Sequence, residues 1–215
     1  MINTNTFTGF IGLLAAVLVG TGEFLLHFDP LGRFDGSDAY LFMQGISIER
    51  ASLGHFFGVL GAPLYVVGFW HLMKMLEPAG QLASRIAFAV MSYGIMVGAV
   101  WIGSRASISA MVNFDSAADL SQLIALYELR YESLLQVTRV AALVFSAIYI
   151  WLVLSGRSLY PKWMALLNPV FLILMSFGIW MLLPALGVYL MPIALNVAFA
   201  LLFVASIYYS AKRTG

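Results

Sequence analysis

No cysteine occurs anywhere in this chain of 215 residues. That absence excludes disulfides, thiol nucleophiles and Fe–S ligation, and leaves the redox compartment open. Charge is nearly as scarce: 10% of residues are charged and 62% hydrophobic, against roughly 25% and 45–50% in an average soluble domain. A water-soluble fold of this size lacks the polar surface to cover itself. The net charge of +1 comes without a cluster of Lys and Arg on one face, so the footprint of a nucleic-acid partner is missing. Met1 to Phe10 holds no Lys or Arg, and the first apolar run therefore reads as a retained span, not a secretory signal. Nucleophile elbows, phosphate-binding glycine loops and zinc-protease motifs are also lacking.

What the chain does have is long apolar runs, with a mean hydropathy of +0.93. Runs bounded by charge or turn residues give six spans, at about 7–28, 52–76, 83–104, 131–154, 163–183 and 187–209, each near the roughly 20 residues that cross a bilayer. The fold expected is an all-α, polytopic transmembrane helical bundle forming a single domain over 1–215. Spans five and six should form an antiparallel hairpin turning at Pro184. The connection after span one contains Pro30, Gly32 and Gly36, then a mixed stretch over 38–50 suited to a short interfacial helix. The connection after span three contains the turn signal Asn113-Phe-Asp115-Ser, with a helical pattern from Asp119 onward, so the fourth helix should protrude beyond the bilayer.

Orientation follows from the cations. With the N-terminus inside, Lys74, Arg85, Arg157, Lys162, Lys212 and Arg213 fall on cytoplasmic ends, including every lysine. The other side receives Arg33, Arg50, Arg105 and Arg130, diluted by Asp29, Asp35, Asp38, Glu49, Asp115, Asp119 and Glu128. The expectation is N-in, C-in. Trp70, Trp101, Trp151, Tyr160, Trp163 and Tyr208 sit where interfacial aromatics belong.

Ionisable residues inside spans are costly, so they normally face a partner or a wet cavity. Most of them here share one membrane side. In span one, Gly9, Gly12, Ala16, Gly20, Glu23 and His27 recur at helical spacing, a small-residue face that points the two ionisable side chains into the bundle. His55 enters on span two at similar depth, and Gly94, Gly98, Trp101 and Arg105 bring span three to the same side. On helix four, Glu128, Glu132, Gln136 and Arg139 follow one face. The candidate cluster is thus Glu23, His27, His55, Arg105, Glu128, Glu132 and Arg139. It reads either as ion pairs that hold the bundle together or as an outward-facing pocket for a polar headgroup or small anion, and the two readings coexist. Glu23, His27 and His55 match no zinc signature, and two histidines at equal depth do not establish haem, so no metal or cofactor is expected. His71, at the opposite side, reads as an interfacial residue.

Glu23 with His27, or Glu128 with Glu132, offers acid–base chemistry. Asn168-Pro169 and Asn196 lie within spans five and six, where a broken helix would mark a transport path; a tolerated kink with amides bonded across helices is the plainer reading. Three functions follow: a small membrane protein binding or sensing a polar or amphipathic ligand, a membrane-embedded enzyme acting on a lipid or isoprenoid, and a transporter or channel subunit. Membrane lipids are the expected partners.

Gly22-Glu23-Phe-Leu-Leu-His27-Phe, Arg50-Ala-Ser-Leu-Gly-His55, and Tyr160-Pro-Lys-Trp163 through Leu167-Asn168-Pro169 resemble segments of a group of bacterial multi-pass membrane proteins classed as domains of unknown function. The resemblance covers most of the chain and implies a multi-pass protein of the cell inner membrane. It implies no activity, substrate or catalytic residue.

Overall fold

The computed structural model describes residues 4–33, 40–115 and 120–212, and every regular element among them is helical. Gly36, Asp35, Asp38, Asp119 and Arg213, used above in reading loops and charge, lie outside the described residues. The helices are α1 (Thr4–His27), α2 (Ile48–Leu76), α3 (Gln81–Val112), α4 (Ser121–Leu154), α5 (Pro169–Leu182), α6 (Pro184–Leu190) and α7 (Ala194–Lys212). Five segments are long and apolar enough to cross a membrane: α1, α2, α3, α4 and the unit formed by α6 and α7.

α2 starts four residues before the expected position because Ser47 caps it, accepting from the Arg50 amide at 3.2 Å. α3 and α4 have 32 and 34 residues, which rise about 48 and 51 Å, well past the roughly 30 Å of a hydrocarbon core. The protrusion expected for α4 is therefore shared by α3. The run after Arg105 continues as helix because Arg105 is buried against neighbouring elements instead of reaching water.

Close approach between helices rests on small residues. A Cβ on Gly22 would lie 2.5 Å from the Gly58 nitrogen and 2.7 Å from the Gly54 carbonyl oxygen, and one on Gly12 would lie 2.7 Å from the Gly68 Cα. α1 and α2 thus pack backbone to backbone, the arrangement small-residue faces permit in lipid. Between α3 and α4, Gly94 faces Ala141 and Gly98 faces Thr138. Tyr65 and Phe69 of α2, Phe145 and Tyr149 of α4, and Phe199 and Phe203 of α7 fill the centre with rings 5.2–6.4 Å apart.

The stretch read as span five is divided. Lys162–Leu167 forms a 3-10 turn, and α5 begins at Pro169 with Asn168 as its cap, the Asn168 Oδ1 accepting from the Phe171 amide at 2.9 Å. Proline lacks the donor that a first helical position leaves unbonded anyway, and it pushes the residue before it out of the helical region. Asn168 accordingly has φ −66° and ψ 143°. Pro169 starts a helix and does not kink one. The 14 residues of α5 rise only about 21 Å. The turn into α6 falls at Leu183-Pro184, where the hairpin was expected, and Gly187 packs on Trp180.

Both chain ends meet at one end of the bundle. Thr6 and Ser210 hydroxyls are 3.0 Å apart, and Asn5 Nδ2 donates to Ser210 Oγ at 3.4 Å. His71 is fully buried there, not interfacial. Its Nδ1 lies 2.6 Å from the Asn5 carbonyl oxygen and its Nε2 2.6 Å from Ser206 Oγ, which also meets the Tyr160 hydroxyl. Tyr160 is buried with it, as is Trp101 at the other end, so neither is an exposed anchor. Trp70, Trp151, Trp163 and Tyr208 are exposed as interfacial aromatics would be.

Candidate functional site

The ionisable residues of the His27 end form two constellations. The first is a salt-bridged network. Arg105 of α3, 6% exposed at its side chain, donates from Nη1 to Glu132 of α4 and from Nε to His27 Nε2 of α1 at 3.1 Å. A guanidinium only donates, so Nε2 must accept, and His27 is held as the neutral tautomer protonated at Nδ1. The guanidinium also lies 4.9 Å from the Trp101 ring centroid and 5.0 Å from that of Tyr40. Tyr40 donates to Glu132 at 3.4 Å. Burial, reinforced by Glu132 and Glu128 and opposed by Arg105, pushes the Tyr40 phenol above its ordinary pKa. Tyr40 takes φ 64°, unusual for a residue with a side chain. Its loop is fastened by Asn113, which accepts from the Gly45 amide at 2.7 Å and donates to the Met43 carbonyl at 2.8 Å.

The second constellation surrounds a cavity. Glu23 of α1 accepts from Asn196 Nδ2 of α7, and Asn196 Oδ1 accepts from the Tyr65 hydroxyl of α2 at 2.8 Å. Glu23, Trp101, Leu135, Thr138 and Leu195 line both a tight niche of about 40 Å³ and a wider cavity of about 500 Å³. Arg139, Ala142, Ile173, Phe177, Met191, Pro192 and Ala194 complete the wider wall, so α1, α3, α4, α5 and α7 all contribute. Arg139 and Phe177 are exposed, which opens the cavity sideways. Arg139 lies 12 residues from the exposed Trp151 on α4, about 18 Å by helical rise. Among the described residues it makes no hydrogen bond or ion pair, with Glu23 or any other group.

The expected cluster is therefore only partly assembled. His27, Arg105 and Glu132 meet directly, while Glu23 and Arg139 share a cavity without touching. His55 stands apart, its Nδ1 3.2 Å from the Gly103 carbonyl oxygen, and Glu128 is exposed to solvent one turn beyond Glu132. No side-chain hydrogen bond joins Glu23 to His27. Glu23, His27 and His55 do not converge, and no three metal-ligating side chains do so among the described residues. Asn196 bonds across helices and Asn168 caps α5; the cavities that reach Asn196 are not lined by Asn168. Sequence reasoning passed over Tyr40 and Tyr65. Tyr65 carried a signal, since a phenol in the middle of an apolar run must find a partner; Tyr40, in a loop, carried none.

A family model matches residues 1–213, and its description states only that the family's function is unknown. No curated protein and no solved structure matches the chain.

Proposed function

We propose, for a chain that belongs to the family of unknown function DUF6796 and so inherits no activity from its relatives, that it is a membrane protein binding an amphipathic ligand in the lateral cavity between α1, α3, α4, α5 and α7. The observation that carries this reading is Arg139. An arginine at the centre of a span costs about 2.5–3.5 kcal/mol on insertion scales and ordinarily faces a partner. Arg139 lines a cavity of about 500 Å³ whose walls are otherwise mostly apolar, within the roughly 300–1,000 Å³ usual for small-molecule sites. Arg105 differs, because Glu132 and His27 already neutralise and bond it. The salt-bridged network is thus the part that holds the bundle, and the cavity is the part left for a ligand.

The topology that goes with this reading has six crossings, with both ends in the cytoplasm of a cell whose inner membrane holds the protein. Support comes from the ends themselves, which meet at the end carrying Lys74, Lys162 and Lys212. In that arrangement the 3-10 turn and α5 together make the fifth passage. The Val170 amide donates to Ser146 Oγ at 3.4 Å, and Met164 and Ala165 of the turn are buried. Non-helical backbone at membrane depth is tolerated where protein covers it in this way.

The test uses Trp101, which borders the cavity. In full-length protein with Trp70, Trp151, Trp163 and Trp180 replaced by Phe, held in phosphatidylcholine nanodiscs, an alkyl amphiphile with a brominated chain should quench Trp101 fluorescence saturably. Quenching that is absent, or that rises linearly with the amphiphile as in bulk lipid, rejects the site.

A further inference from the structure

Resting on that reading, we infer that the amphiphile is an anion: a single chain whose carboxylate or phosphate head is held by the Arg139 guanidinium. The argument is a count of what the cavity wall leaves unmatched. Thr138 already donates its hydroxyl to the Gly94 carbonyl at 3.0 Å. Asn196, which lines the adjoining niche and not the wider cavity, donates to Glu23 and accepts from Tyr65. One charged donor group remains. Arg139 has five N–H donors and no acceptor to take them.

A guanidinium is a donor only, and this one bears a full positive charge against a mostly apolar wall. A hydroxyl head would satisfy hydrogen bonds and leave the charge unmet; a cationic head would be repelled. Carboxylates and phosphates match the planar fork of a guanidinium with two parallel bonds. Glu23 lies on the same wall with one carboxylate oxygen bonded by Asn196. Arg139 is the charged donor on that wall, and it sets the position of the head. The tail then has Leu135, Ile173, Phe177 and Leu195 to lie against.

The experiment presents the Trp101-only protein in nanodiscs with amphiphiles that share one brominated hexadecyl chain and differ only in the head: phosphate, carboxylate, hydroxyl or trimethylammonium. The two anions should bind at least about tenfold more tightly than the alcohol, the scale of one charge-assisted bidentate contact, and the trimethylammonium compound more weakly than the alcohol. A phosphate that outbinds the carboxylate assigns a phosphorylated lipid or prenyl chain, and the reverse order a fatty acid. Arg139→Gln should bring the anions to the level of the alcohol, and Arg139→Lys should keep most of their advantage. Equal affinity for alcohol and anions in the unsubstituted protein, or an anion preference that survives Arg139→Gln, overturns the inference. In either case saturable quenching would leave the cavity itself standing, whereas no saturable quenching by any head removes both.

Discussion

At the scale of single residues, the two arginines Arg105 and Arg139 have opposite circumstances. Arg105 is enclosed and answered by Glu132, His27, Tyr40 and Trp101. Breaking such a pair strands a charge away from water, which destabilises more than the intact pair ever stabilised. Glu132→Leu should therefore cost up to about 3 kcal/mol, and Arg105→Met combined with Glu132→Leu should recover much of it. Thermal unfolding of the purified variants measures both; a double variant no more stable than the single one contradicts the account.

Asp29 offers a pH-dependent counterpart at the end of α1. Its carboxylate accepts from Arg33 Nε at 2.7 Å and from the Arg33 amide at 3.0 Å, and the Arg33 side chain holds it below its ordinary pKa of 3.8 despite burial. A folded-state pKa below the unfolded one means that the fold favours the ionised form. The resulting stability is complete above the unfolded value and is lost as pH falls through the lower, folded one. Asp29→Asn should lower stability at neutral pH and flatten its acid dependence below about pH 4. An unchanged acid slope in the variant would show that Asp29 does not contribute.

At the scale of helices, glycine placement decides which pairs approach. Gly22 leaves room for the α2 backbone at Gly54 and Gly58, and no side chain can retreat to make space. Gly22→Val should destabilise by about 1–3 kcal/mol, whereas Gly178→Val, at a position with open space around it, should not. Equal stability of the two variants, read from unfolding midpoints, would remove the backbone contact from the account. This periodicity of small residues was legible in the sequence, as were the turn at Pro184 and the overrun of α4. α5 was less so, because a continuous apolar run from Trp163 to Tyr209 hides a start that only Asn168-Pro169 marks. Reading that pair as a kink within a span, and not as the cap and first residue of a new helix, misplaced the boundary. The extension of α3 past Arg105 was concealed in the same way: serines and an arginine look like loop until a partner buries them.

At the scale of the whole molecule, the chain is polarised between two ends. The Lys74 end is closed by His71, Ser206, Tyr160 and the adjoining ends of α1 and α7, which hydrogen bonds join to one another. Most ionisable side chains lie toward the other end, where the salt-bridged network and the cavity stand side by side. Their being on one side followed from counting residues along six spans. Their division into a network and a cavity did not, because Glu132 and Arg139 share a helix face and are separated only by what stands opposite: α3 against one, α5 and α7 against the other. Cavity walls drawn from five helices leave no mark on the periodicity of any one of them.

Because the chain has no cysteine of its own, Phe177→Cys places a single thiol on the cavity wall. Its rate of modification by an apolar maleimide in phosphatidylcholine nanodiscs, with and without hexadecyl phosphate, tests the central claim most directly. The account predicts marked slowing by hexadecyl phosphate at Phe177→Cys and none at a lipid-facing control, Leu143→Cys. Equal rates at Phe177→Cys with and without the amphiphile would contradict it.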